Sequence, residues 1–160
     1  MPPNPPTPTS RERKAARPPK RPLHGPIAED PRARCGDPPP SALLLGIEQF
    51  NAGEFFEQHE TLELLWRDTA APTRDLYHAI LQIGVGFHHW RNANHHGATV
   101  LLSEGLARLE PFVPACQGVD VAALIADATV AREELARLGA DRMREYDLGR
   151  APKIRLTDTR

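Results

Sequence analysis

The chain has 160 residues, a formal net charge of −1 and two cysteines, Cys35 and Cys116. This length fits one domain with a modest core, and two cysteines in separate segments predict neither a disulfide framework nor a cysteine-based zinc motif. No apolar run approaches the roughly 20 residues of a membrane helix, and the first residues lack the apolar stretch of a signal peptide. We therefore expect a cytoplasmic protein in a reducing compartment, without a membrane partner.

Residues 1–40 differ in composition from the rest of the chain. They hold thirteen of the seventeen prolines and eight Lys or Arg against four Asp or Glu, whereas the remainder holds twelve against seventeen. Because this proline density prevents helix formation and little apolar surface is present, we predict a disordered, basic tail. The tail lacks interleaved aromatic residues, so a solvated segment is favoured over a nucleic-acid contact. Leu23 to Pro40 retains enough apolar side chains to lie against the body.

Helical apolar spacing begins at Ser41, and no stretch shows the alternation typical of a strand. The pattern predicts an all-α compact bundle of about five helices within residues 41–140, followed by a C-terminal extension, 141–160. The predicted helices cover about residues 41–53, 54–71, 73–94, 98–109 and 120–139. Short connections favour antiparallel neighbours, and residues 151–160 are expected to trail along the surface.

The second predicted helix combines apolar and ionisable side chains on one face. Its apolar side is formed by Phe55, Phe56, Leu62 and Trp66. His59 and Glu63 fall within that arc and are four residues apart, so both are expected to face the core. Glu60 lies on the flank of the same arc.

The third predicted helix is apolar over most of its circumference, which favours a central position in the bundle. The remaining arc carries a polar stripe of Arg74, His78, Gln82, His89 and Asn92. Gly84 and Gly86 would allow a neighbouring helix to approach closely. Since the second helix is the natural neighbour, we expect its His59 and Glu63 to meet the histidines and Gln82 of the polar stripe.

Imidazoles and a carboxylate that converge from adjacent helices match the ligands preferred by Zn²⁺, Fe²⁺ or Mn²⁺. The local string from His59 to Glu63 reads HExxE and therefore lacks the second histidine of the HExxH zinc-protease helix. The alternative is a structural network in which these side chains satisfy one another and Arg74 neutralises Glu63. Both interpretations stay open at this point.

A family resemblance is carried by the same residues. The string from Phe50 to Glu60, FNAGEFFEQHE, resembles the signature of the family named domain of unknown function 309, and further matching positions follow. These are Leu62-Glu63, Trp66, Arg74-Asp75-Leu76, Gln82, Phe87-His88-His89-Trp90, Gly97-Ala98, Leu101-Leu102 and Gly105-Leu106. The likeness covers roughly residues 41–138 and implies a small all-helical fold, sometimes described as a predicted metal-dependent hydrolase without an established substrate. It singles out His59, Glu60, Glu63, Trp66, Gln82 and His89, while His78 departs from the family pattern.

Two functional classes follow from these residues. In a metal-dependent hydrolase acting on an unknown small-molecule substrate, His59, Glu63 and His89 would hold the ion and Glu60 would act as the general base. Gln82 would orient a ligand or water, and the remaining binding residues would be His78, Arg74 and Trp66. In a non-catalytic binding or structural protein, the same polar side chains would fix helix packing. Either class is compatible with a homo-oligomer.

Overall fold

Five α-helices make up most of the described part of the chain, which comprises residue 3 and residues 29–157 of the computed structural model. They are α1 (Ser41–Asn51), α2 (Phe55–Asp68), α3 (Arg74–Arg91), α4 (His95–Leu109) and α5 (Val121–Arg142). The predicted all-α bundle is thereby confirmed. Most of the predicted tail, residues 1–28 apart from residue 3, lies outside the described residues.

Side-chain caps define the start of the last two helices. The Asn94 side chain accepts a hydrogen bond from Gly97 N at 2.9 Å at the start of α4, and Asp120 accepts one from Ala123 N at 3.0 Å at the start of α5. These caps satisfy amides that have no partner within the helix. The continuous helical stretch of α5 ends at Gly139 as predicted, where a non-helical φ of 68° and ψ of 179° kink the chain before the last residues up to Arg142. None of the described helices is long and apolar enough to cross a membrane.

Helix α3 lies at the centre of the bundle between α2 and α4 because two of its glycines leave space for side chains of these neighbours. A Cβ atom at Gly84 would lie 2.5 Å from Nε2 of Gln58 in α2, and one at Gly86 would lie 3.0 Å from Cγ of Leu102 in α4. The apolar side of α3 completes the core with Phe87, which stacks on Phe55 with ring centroids 5.6 Å apart. This arrangement leaves the polar stripe of α3 between its two neighbours.

A short hairpin precedes α5 and was not predicted from the sequence. Strand β1 (Ala115–Cys116) pairs antiparallel with β2 (Val119–Asp120), and the turn residues Gln117 and Gly118 have positive φ values of 47° and 78°. Two consecutive positive φ values are typical of a tight hairpin turn. Strands of two residues are too short to produce a visible alternation of apolar and polar positions.

The two cysteines form a disulfide, which corrects the expectation that they would stay unpaired. Cys35 and Cys116 are 81 residues apart in sequence, and their Cα atoms lie 4.2 Å apart. The sequence analysis placed Cys35 in the predicted tail but expected that Leu23 to Pro40 could lie against the body, and the described part of this stretch contacts the hairpin. Arg32, for example, donates hydrogen bonds to the carbonyl oxygens of Val113 at 2.6 Å and Ala115 at 3.0 Å.

The C-terminal segment also packs against the bundle, and the prediction that residues 151–160 trail along the surface is wrong for part of that segment. Ala151 and Ile154 are buried. The Asn51 side chain accepts from Ile154 N at 2.7 Å and donates to Ile154 O at 3.0 Å, and Leu156 forms an antiparallel bridge with Val119. A polar side chain that replaces a strand partner fixes this segment without a periodic sequence pattern.

Candidate functional site

The polar stripe occupies the sector of α3 that faces neither α2 nor α4 directly. At about 100° per residue, Gly84 and Gly86 point to opposite neighbours, and His78, Gln82 and His89 fall between these two directions. Gln82 is buried, whereas the two histidines are half-buried. The stripe therefore lies on the strip of α3 between α2 and α4, and we call this strip the furrow.

Gln82 is bound by α4, which corrects the expectation that it meets His59 and Glu63 of α2. Its Nε2 donates to Glu104 Oε2 at 3.0 Å, and its Oε1 accepts from Arg108 Nε at 3.1 Å. Arg108 also approaches Asp75 Oδ1 at 3.9 Å. Gln82, Glu104, Arg108 and Asp75 thus form a polar network that joins α3 to α4, and we call it the α3–α4 network.

A stack of three side chains joins α3 to α2 at the start of α3. The rings of Trp66 and His78 are 4.7 Å apart, and the guanidinium of Arg74 lies 4.7 Å from the Trp66 ring centroid. Arg74 also donates to the Trp66 carbonyl oxygen at 3.4 Å. Burial lowers the pKa of His78 below its ordinary value, and the positive charge of Arg108 lowers it further. His78 is therefore neutral at pH 7 and suited to stacking.

His59 and Glu63 lie at the rim of α2 rather than in the core. His59 Nε2 is 3.4 Å from Glu63 Oε2, and 38% and 31% of their side chains are exposed. Glu63 Oε1 also forms an ion pair with Arg67 at 2.9 Å. Glu60 is exposed. The expectation that His59 and Glu63 face the core is therefore wrong.

The buried face of α2 is centred on Gln58, which corrects the sequence-based helix orientation. Gln58 is 0% exposed, whereas Phe56, placed on the apolar side by the sequence interpretation, is 55% exposed. The Gln58 amide is satisfied when its nitrogen donates to Ile80 O at 3.2 Å and its oxygen accepts from His59 N at 2.9 Å. Gly84 makes room for this amide, so a glycine inside an otherwise apolar helix was the available signal for a buried polar partner.

His89 lies at the opposite end of the polar stripe from His78. Its Nδ1 is 3.3 Å from Asn94 Nδ2, and a Cβ atom at Gly97 would approach His89 Cδ2 to 3.0 Å. Asn94 and Gly97 belong to the start of α4. His89 is thus packed on the α3–α4 turn.

The side chains expected to hold an ion do not fit a metal site. Across residues 29–157 and residue 3, no group of three or more His, Cys, Asp or Glu side chains is placed to hold a metal ion. Glu63 offers one oxygen to His59 and the other to Arg67, while the ring of His89 faces Asn94. A metal site in a protein requires several ligands converging on one point, and this convergence is missing for His59, Glu63 and His89.

The molecule is thus an all-helical bundle with a partly exposed polar furrow along its central helix. Residues 43–101 match the family described as Domain of unknown function (DUF309). The matched segment covers most of α1, all of α2 and α3 and the first part of α4, and it includes every predicted site residue. The resemblance found in the sequence is confirmed over these residues. No curated protein and no solved structure matches the chain.

Proposed function

We propose that this is a non-catalytic binding protein in which the polar side chains of the furrow fix the packing of α2 and α4 on α3. The observation that carries the proposal is the environment of Gln82. Both ends of its amide are engaged by α4, through Glu104 and Arg108. The two hydrogen bonds from opposite ends of the amide fix the Gln82 side chain between α3 and α4.

The other furrow residues support the same function. The stack of Arg74, Trp66 and His78 uses aromatic and cationic surfaces for contacts within the protein, and these contacts restrict the position of α2 relative to α3. Together the stack and the α3–α4 network set the register of three helices. Of these side chains Gln82 and Arg74 are buried, and a buried polar group that is hydrogen-bonded can favour one packing arrangement over others.

The metal-dependent hydrolase receives less support from the geometry. Its three proposed ligands do not converge, and its proposed general base, Glu60, is exposed. General-base catalysis requires a carboxylate within hydrogen-bond reach of the proton it removes.

The exposed rim of the furrow provides a binding surface. Phe56 is 55% exposed, and its ring lies 6.2 Å from the ring of His88. An exposed aromatic side chain next to hydrogen-bonding groups is typical of surfaces that contact other proteins. We therefore assign the open side of the furrow to a protein partner.

A double-mutant cycle of Gln82→Ala and Arg108→Ala, measured by denaturant unfolding, tests the proposal. If the α3–α4 network fixes packing, the two changes should be coupled by about 0.5–3 kcal/mol. The matched control pairs Gln82→Ala with Arg137→Ala, because Arg137 contacts Glu134 on the exposed face of α5. Additivity of Gln82 and Arg108 within about 0.3–0.5 kcal/mol would show that the network does not perform this role.

A further inference from the structure

The described part of the N-terminal segment, residues 29–40, is held on the bundle by few noncovalent contacts. Most of its residues are exposed, while Cys35, Pro39 and Pro40 are half-buried, and Cys35 packs against the core next to Cys116. Arg32 binds two carbonyl oxygens of the hairpin region from an exposed position. Exposed hydrogen bonds contribute little because water competes for both partners, and ordering a chain segment costs conformational entropy.

The disulfide supplies the missing constraint. Cys116 is 1% exposed and belongs to the core, while Cys35 is half-buried. The covalent bond therefore connects a weakly held segment to a firmly packed hairpin. It also aligns the backbone contacts beside it, since Gln117 N donates to Cys35 O at 2.7 Å and Gln117 Nε2 donates to Arg34 O at 3.2 Å.

The same segment covers a buried polar pair that reaches α3. Gln117 is 4% exposed, and its Oε1 accepts a hydrogen bond from the Tyr77 hydroxyl at 2.6 Å. Burial raises the pKa of Tyr77, so the hydroxyl stays protonated and donates. Removal of residues 29–40 would take away the Gln117 partners Arg34 and Cys35 and open this pair to solvent.

We infer that the Cys35–Cys116 disulfide is a redox-controlled latch, whose reduction by a dithiol releases residues 29–40 and uncovers Gln117 and Tyr77. A thiolate of the reductant attacks Cys35 Sγ, the more accessible sulfur, and the S–S bond breaks with Cys116 leaving as a thiolate that takes up a proton. The second thiolate of the reductant then attacks the reductant sulfur that is bonded to Cys35 in the mixed disulfide. This step expels Cys35 as a thiolate, which also takes up a proton. Two electrons and two protons pass to the protein, and the reductant leaves as a disulfide.

Hydrogen exchange of the full chain, measured by mass spectrometry with and without dithiothreitol, tests the latch. We expect the amides of Ala33, Cys35, Asp37 and Gln117, which donate to backbone carbonyls, to exchange at least about tenfold faster after reduction. Amides in the middle of α3 should keep their protection. The intact mass should rise by two hydrogens on reduction.

The variant Cys35→Ser separates the latch from a general effect of the reductant. Without dithiothreitol it should already exchange as the reduced protein does, and dithiothreitol should not change it further. Four results would overturn the latch: free thiols in the air-oxidised protein, unchanged exchange in residues 33–37 after reduction, full protection of these residues in Cys35→Ser, or loss of protection throughout α3.

Discussion

Replacement of Gly84 by alanine perturbs the contact between α2 and α3 with a single methyl group. The new Cβ would lie 2.5–2.8 Å from the three terminal amide atoms of Gln58. Gln58 is 0% exposed and its amide bonds to Ile80 O and His59 N. The side chain must therefore move, or α2 must separate from α3.

The change in the free energy of unfolding is the sum of two destabilising terms and one stabilising term. Overpacking of a filled core costs about 1–3 kcal/mol, and loss of the Gln58 hydrogen bonds in a buried position costs about 1–3 kcal/mol more. Alanine offsets about 1 kcal/mol because it favours the helix more than glycine does. We expect a net destabilisation of about 1–5 kcal/mol, which corresponds to a fall in Tm of roughly 2–20 °C for a chain of this size.

Thermal and urea unfolding of Gly84→Ala measure this effect, with Gly36→Ala as the control because no atom lies within 4 Å of a Cβ atom built at Gly36. Combination with Gln58→Ala should restore part of the loss, since the shortened side chain no longer meets the new methyl group. A Gly84→Ala protein as stable as the parent would refute the close contact between Gln58 and α3.

Two further outcomes are expected. Because the pKa of His78 is lowered in the folded protein, the unfolded chain binds a proton more readily, and His78 makes the fold less stable as the pH falls from about 6.5 toward the folded pKa. The variant His78→Phe should therefore flatten the pH dependence of Tm in that range. An unchanged slope would contradict the lowered pKa. Trp90→Phe removes the hydrogen bond from Trp90 Nε1 to Met143 O at 2.8 Å, so urea unfolding should show a loss of about 1–3 kcal/mol, whereas a loss below about 0.5 kcal/mol would mean that water replaces this bond.

The helices could be predicted from the sequence because their signals are local. Asp120 caps α5 as predicted, and α1 begins at Ser41, although Ser41 is its first residue and not the predicted cap. Asn94, predicted to mark the turn before the fourth helix, caps α4. These signals act within a few residues. Gly84 and Gly86 also indicated close packing of α3. Helix existence and order therefore follow from residues that are neighbours in the chain.

The orientation of α2 could not be predicted with the same certainty because it depends on contacts distant in sequence. Phe56 is more apolar than Gln58, yet Gln58 is buried because Gly84 provides space and Ile80 provides a carbonyl acceptor. Because α2 is rotated so that Gln58 rather than Phe56 faces the core, His59 and Glu63 lie at the rim. The candidate site is therefore not a set of converging metal ligands but a polar strip in which Gln82 is hydrogen-bonded to Glu104 and Arg108.

The partners of the polar stripe and of the cysteines were missed for the same reason. Gln82 binds Glu104 and Arg108, which lie 22 and 26 residues away, and Cys35 meets Cys116 across 81 residues. Glu104 and Arg108 are four residues apart and so share one face of α4. That spacing was the available signal for a polar contact with the stripe, although it did not identify Gln82.

Metal-dependent stabilisation of the chelator-treated full chain tests most directly whether the furrow is organised around its own side chains. An ion at 100 times its Kd would stabilise the fold by about 2.7 kcal/mol, which corresponds to a rise in Tm of roughly 5–10 °C. A self-satisfied network predicts that Zn²⁺ and Mn²⁺ produce no rise that depends on His89 or Glu63. A rise that His89→Ala and Glu63→Gln abolish, and that the surface variant His96→Ala retains, would contradict the non-catalytic network and establish a metal site.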